Sequence, residues 1–229
     1  MTAEFFHDEK EHIYKLNGVP LVSITDTLAD QGIVDYGFIA AKDRPFYLKR
    51  GTAIAEATRL YDLGILDWKS LREMVEWNGE QKPWTLGAME AYLRFREEFA
   101  GAEWEPAAIE KPLYDPIYQY AGRPDRLFDT PSGLVVVQIK KGKVERWVGL
   151  QTAAEARLFE QNKYGRVKKR FGLELRSDGT FKASRDMIPF KDPNDIKIFL
   201  SALAVLKWKR INGGTKAKQE RRQEDEDIS

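Results

Sequence analysis

The chain contains no cysteine. That excludes disulfides, thiolate metal sites and cysteine nucleophiles together, and it suits a reducing compartment. Long apolar runs are missing too. The longest, residues 133–137 and 199–206, fall far short of the roughly 20 residues a membrane helix requires. The first nine residues lack the basic-then-apolar order of a signal peptide. Charge of one sign is not in excess, since 37 basic and 36 acidic side chains leave a formal net charge of +1. No Gly-x-Gly-x-x-Gly and no Walker loop occurs, so neither a dinucleotide fingerprint nor a P-loop is present. What is abundant is aromatic bulk: six Trp, nine Tyr and twelve Phe in 229 residues can build one core without staples. These features predict a single soluble, cytoplasmic domain over residues 1–212, with a charge-rich, disordered tail at 213–229.

The near-neutral total hides an uneven distribution. Between positions 138 and 170 there are ten Lys/Arg against three Glu, a local net of +7. Such an excess fits a surface facing a polyanion. It equally fits a solvated face balanced by acids from elsewhere.

Asn17-Gly18 separates two β-rich segments, 13–16 and 19–22, and marks a hairpin. Ser23 to Asp26 offers a cap for a short helix starting near Thr25. Helical spacing recurs over 52–63, 67–77 and from Thr85 to Phe99. The period then changes, and residues 109–115, 118–128 and 133–140 predict three strands. A helix over 146–161, a hairpin joining 167–175 to 180–186, and a helix over 193–211 follow. The order predicts an α/β (α+β) fold with a central mixed sheet flanked by helices.

The chemistry concentrates in Gly122-Arg123-Pro124-Asp125, Gln138-Ile139-Lys140 and Gln151. Gln138 and Lys140 are two apart on a strand and share a face. Asp125, on the neighbouring strand, can stand beside Gln138. A carboxylate, an amide oxygen, a backbone carbonyl and an ammonium would then converge. Oxygen donors of this kind suit Mg²⁺ or Mn²⁺. A plain turn and the solvated end of a strand account for the same residues without a metal.

These motifs, in this order, resemble the core of the PD-(D/E)XK nuclease superfamily, in its RecB-like and phage recombination exonuclease branch. There, Gly-x-x-Asp on one strand precedes (Asp/Glu)-x-Lys on the next, then Gln-x-x-x-Tyr on a helix. Gly122 to Asp125, Gln138-Ile139-Lys140 and Gln151 to Glu155 match, and Arg50-Gly51-Thr52-Ala53-Ile54-Ala55-Glu56 resembles the start of the branch's first core helix. Three positions depart: Ala55 replaces a metal-binding His, Gln138 an acid, and Glu155 a Tyr. The resemblance implies a restriction-endonuclease-like fold with its core at about 50–208. It also implies a metal-dependent deoxyribonuclease, an exonuclease of phage recombination or replication in the host cytoplasm. Mg²⁺ or Mn²⁺ would be held by Asp125, Gln138 and the Ile139 carbonyl, and Lys140 and Gln151 would act on water and phosphate. Glu155 or Glu56 would restore a carboxylate, with Glu110 behind them. Lys141, Lys143, Arg146, Lys163, Arg166, Lys168 and Lys169 would hold DNA, and Trp147 would stack on a base or pack. His7 and His12, in the hairpin region, read as surface residues. A homo-oligomer or a recombination or replication partner is conceivable. The alternatives are a catalytically weakened or inactive protein of this fold that binds DNA or serves in assembly, and a scaffold without nucleic acid.

Overall fold

The computed structural model describes residues 4–9, 11–34, 44–69, 83–101 and 103–213. Most of the helix expected over 67–77, with Trp77, lies outside the described residues, as does the tail from residue 214.

Five strands form the central sheet, in the order β11-β10-β9-β8-β5: β5 Glu105–Ile109, β8 Arg126–Asp129, β9 Leu134–Lys141, β10 Val167–Leu175 and β11 Met187–Pro189. β9 and β10 are parallel, and the other neighbours are antiparallel, so the sheet is mixed. Helices cover both faces. Helix α4 (Val148–Gln161) connects β9 to β10 and packs on one face with α6 (Asp195–Asn212) and α1 (Ile24–Asp30). Helices α2 (Arg44–Asp62) and α3 (Pro83–Arg94), the latter continued as a π-helix over Phe95–Ala100, cover the other.

The run of valines in β9 explains the two layers. Val136 joins the core beneath α4 and α6, with Leu158, Phe159, Phe199 and Leu203. Val135 and Val137 point the opposite way, into a second core with Ile54, Met89, Tyr92, Phe95 and Phe128. Alternate residues of a strand face opposite sides, so a β-branched run with both faces covered belongs in the middle of a sheet.

Two small units stand beside this sandwich. β1 (Phe5–Asp8), β2 (Ile13–Leu16) and β3 (Val19–Pro20) form an N-terminal meander, turned at Asn17 and Gly18, both at positive φ. β4 (Val22–Ser23), β7 (Tyr120–Gly122) and β6 (Leu113–Asp115) form the other. Ser23 caps α1 by accepting the Asp26 backbone N–H at 2.9 Å, as its position predicts.

Four expectations need correction. The strand expected over 109–115 breaks at Glu110, which adopts φ 44°, and the one over 118–128 breaks between Gly122 and Arg126. At these paired breaks the chain passes between the five-stranded sheet and the β4-β7-β6 unit. The Glu110 N–H donates to the Asp125 carbonyl at 3.0 Å and stitches the breaks together. The second arm of the late hairpin is β11, not 180–186. Residues Ala183–Asp186 form a one-turn helix, α5, because the Asp186 carboxylate accepts from the Lys182 N–H at 2.8 Å and from Arg176 and Arg185. Helix α2 also begins earlier than expected, at Arg44 rather than Thr52.

Candidate active site

Antiparallel register sets Arg126 opposite Val137 at the ends of β8 and β9. One residue further, Asp125 stands beside Gln138. Its Oδ2 accepts hydrogen bonds from the Gln138 amide Nε2 at 2.6 Å and the Ile139 N–H at 2.7 Å. The Asp125 carbonyl is gripped as well, by Arg126 Nη1 at 2.7 Å and by Glu110 N–H. Arg126 is fully buried and anchored by Asp62 at 2.6 Å and Thr58 at 3.2 Å. Asp62 also accepts from the Tyr92 hydroxyl. Helix α2 and the α3 core are thereby tied to the backbone that carries Asp125.

The glycine of the Gly-Arg-Pro-Asp turn has a packing reason. A Cβ on Gly122 would come within 2.7 Å of Ile24 Cδ1 and 3.3 Å of Leu158 Cδ1. Helices α1 and α4 close so tightly on this strand that a methyl group here would require the Ile24 side chain to move.

Gln138 and Lys140 project together, as strand alternation requires, while Ile139 packs toward the opposite core. From Lys140 a chain of hydrogen bonds runs into α4. Lys140 Nζ donates to Gln151 Oε1 at 3.1 Å, and Gln151 Nε2 donates to Glu155 Oε1 at 2.8 Å. Gln151 and Glu155 are four residues apart, one helical turn, so both face the strand. Trp147 is half-buried, with its ring 4.9 Å from the Lys140 ammonium.

Asp125, Gln138, Lys140, Gln151 and Glu155 line one cavity of about 280 Å³ with Ala55, Glu110, Gly122 and Arg123. Its electrostatics follow from burial. Desolvation pushes the Glu155 carboxyl up to about 8, with Asp125 adding repulsion and Lys140 opposing. Burial likewise raises Asp125 and Glu110 and lowers Lys140, the last opposed by Asp125 and Glu155. Two buried oxygens, Gln138 Oε1 and Glu155 Oε2, have no hydrogen-bond partner among the described residues.

Those unpartnered oxygens, with Asp125 and the Ile139 carbonyl, suit a small hard cation. Mg²⁺ takes one or two carboxylates and fills its remaining positions with water and phosphate. No group of three or more His, Cys, Asp or Glu is placed to hold an ion among the described residues, so any such site depends on the amide and backbone oxygens.

Other residues land elsewhere. Glu56, offered above as a replacement carboxylate, is bonded to Arg59 at 2.7 and 2.8 Å and does not line the cavity, although Ala55 does. Glu110 lines it, bridged to Arg123 at 3.0 Å. The basic segment divides. Lys143 pairs with Glu145 at 3.2 Å, and Arg146 with Asp192 and Asp195, each at 3.1 Å. Lys141 Nζ is buried without a hydrogen-bond partner, and Lys163 is exposed. Arg166, Lys168 and Lys169 line a different groove with Ala153, Ala156 and Glu160 of α4. At 100° per residue those helix positions point away from Gln151 and Glu155. These three cations therefore lie across α4 from the cavity rather than beside it.

Conversely, His12, Tyr14, Ser23 and Thr25 join the cavity wall; His12 is exposed, as a surface residue should be, yet it borders the site. Parallel pairing of Val22–Ser23 with Tyr120–Ala121 brings the N-terminal segment there. Nothing in local sequence marks that contact. His7 stacks on Tyr14 at 4.7 Å, and burial lowers its pKa.

No protein-family model matches the chain, and no curated protein matches it. Among solved structures, one similar chain is a crystal structure from Eubacterium rectale named "Putative exonuclease", at 11% identity, with 73% of this chain and 69% of that one covered and a TM-score of 0.43. A likeness so distant leaves the assignment to the side chains themselves.

Proposed function

We propose that the chain is a divalent-metal-dependent deoxyribonuclease of PD-(D/E)XK type that hydrolyses phosphodiester bonds, acting as an exonuclease in phage-type recombination or replication. One observation carries this reading: Asp125, Gln138 with Lys140, and Gln151 with Glu155, which are separate in sequence, share one small polar cavity. The order of the motifs supports the DNA-cleaving class.

Mg²⁺ or Mn²⁺, held by Asp125, Gln138, the Ile139 carbonyl and Glu155, would supply Lewis-acid charge for the scissile phosphate. The chain's own groups do the rest. Gln151 fixes Lys140 by accepting its hydrogen bond and fixes Glu155 by donating one to it. The Lys140 ammonium stabilises negative charge developing on the phosphate. Glu155 would offer its unpartnered Oε2 to the cation, whose charge would keep that buried carboxylate ionised. Water oxygen bonds to phosphorus as its proton passes to solvent, the P–O ester bond breaks, and the departing oxygen takes up a proton from solvent to leave as a hydroxyl terminus.

A second reading is favoured by a specific contact. The Gln138 amide already donates to Asp125, so this carboxylate is satisfied without a cation, as in a protein of this fold that binds DNA without cutting it. Incubation with linear double- and single-stranded DNA plus Mn²⁺ or EDTA separates the two. The nuclease reading expects Mn²⁺-dependent degradation that falls by about a hundredfold or more in Lys140→Ala. Retention of DNA without cleavage selects the binder, and neither outcome leaves a scaffold.

A further inference from the structure

A groove larger than the candidate active site lies elsewhere among the described residues. Measuring about 890 Å³, it lies between the first half of β10 and the segment following β11, with α4 and α6 beneath. Its shape follows from unequal strands. β10 has nine residues, but β11 pairs only with Phe171, Gly172 and Leu173. The last rung is the Phe190 N–H donating to the Arg170 carbonyl at 2.9 Å. Beyond it, the outer edge of residues 167–169 has no partner strand among the described residues, although the Val167 N–H donates to Glu160 Oε1 at 3.2 Å. An uncovered edge is a template for another extended segment.

The rim selects the charge of that segment. Arg166, Lys168, Lys169 and Lys191 are exposed around the groove. Among the described residues none of the four has an ion pair, whereas Arg157 and Arg170 are neutralised by Asp115 and Asp195. The floor includes Phe171, Phe190 and Ile196, which suits a peptide backbone with side chains better than a bare phosphate chain.

We propose that this edge receives an acidic peptide in extended form, and that its occupant is the run Glu224-Asp225-Glu226-Asp227 of this same chain. The run lies outside the described residues, and its charge complements the rim. Its reach is sufficient. Helix α6 has 18 residues, about 27 Å, and the groove touches its first turn at Ile196. The ten residues between Gly213 and Glu224 extend to about 33–36 Å. The proposal is independent of the nuclease reading, and its test uses no cleavage assay.

Two full-length proteins are compared: the wild type, and a variant with all four acids replaced (Glu224→Gln, Asp225→Asn, Glu226→Gln, Asp227→Asn). Hydrogen exchange at the Lys168 and Arg170 amides should be at least about tenfold slower in the wild type. A labelled peptide of residues 223–229 should bind the neutralised variant, more weakly as salt rises, and at least about tenfold more weakly once Arg166→Glu and Lys168→Glu are added. Equal exchange in the two proteins, no peptide binding at low salt, or binding indifferent to the charge reversal would each overturn the proposal. So would a groove that takes a thymidine oligonucleotide in preference to the peptide.

Discussion

Glu155 is where burial and chemistry meet most sharply. It is 2% exposed, it shares the cavity with a second carboxylate, and its carboxyl is pushed up to about 8 from an ordinary 4.5. A folded-state pKa above the unfolded one means that the group favours folding fully below about pH 4.5. That contribution is lost as pH climbs through about 8. Glu155→Gln keeps the acceptor for Gln151 but cannot ionise. In EDTA the variant should match the wild type at pH 4.5 and exceed it at pH 9 by on the order of a few kcal/mol in urea unfolding. Parallel stability curves across that range would refute the burial account. The same variant should lose Mn²⁺-dependent cleavage while staying folded; unchanged activity would show that Glu155 contributes nothing to catalysis. This residue was within reach of the sequence, because the spacing to Gln151 places both on one helix face. Glu56 was not separable by the same logic. Its orientation is decided by Arg59, and an i,i+3 ion pair is invisible until the helix face is known.

At the scale of elements, the site is a fork between two sheets, held open by close packing and by one buried cation. Gly122→Ala would push a methyl group against Ile24 and Leu158. We expect a loss of about 1–3 kcal/mol and weaker metal-dependent cleavage, measured by thermal unfolding and the DNA assay together. Arg126 is buried with Asp62 and holds the Asp125 carbonyl. Removing one member of a buried pair strands the other, so Arg126→Met should cost about 3–5 kcal/mol. A drop in melting temperature below that expected from packing loss alone would argue against the anchoring role. Gly87 gives an independent check on the helical layer. A Cβ there would fall 1.8 Å from the Ser177 carbonyl oxygen, so Gly87→Ala should destabilise without touching the cavity residues. The strand breaks at Glu110 and Asp125 carry local turn residues, Pro112 and the Gly122-Arg123-Pro124 run. Where the chain goes after each is not local, and only the second sheet unit gives it a place to go.

For the whole molecule, a near-zero net charge conceals two polar regions on opposite sides of α4. One is a small, mixed-charge cavity, the other a long cationic groove. DNA retention by the nuclease reading should weaken as salt rises from about 50 to 200 mM, because phosphate contacts release counterions. Reversing Lys168 should leave the cleavage rate at the cavity essentially unchanged, since helix α4 stands between them. A filter-binding titration with the cleavage assay run in parallel tests this, and an equal loss in both would place the groove on the substrate path. No helix among the described residues is long and apolar enough to cross a membrane, in keeping with the short apolar runs.

From the order of residues alone came the buried middle strand, the paired face of Gln138 and Lys140, the helix carrying Gln151 and Glu155, and the capped turn at Ser23. Each depends on neighbours within a few positions, where strand and helix periods dictate which side chains share a face. The fork that presents Asp125, the arrival of His12 and Tyr14 at its wall, and the separation of Arg166, Lys168 and Lys169 from it were settled only by tertiary structure. Those relations join segments scores of residues apart, and packing between layers, which no local period encodes, selects among the many ways of bringing them together.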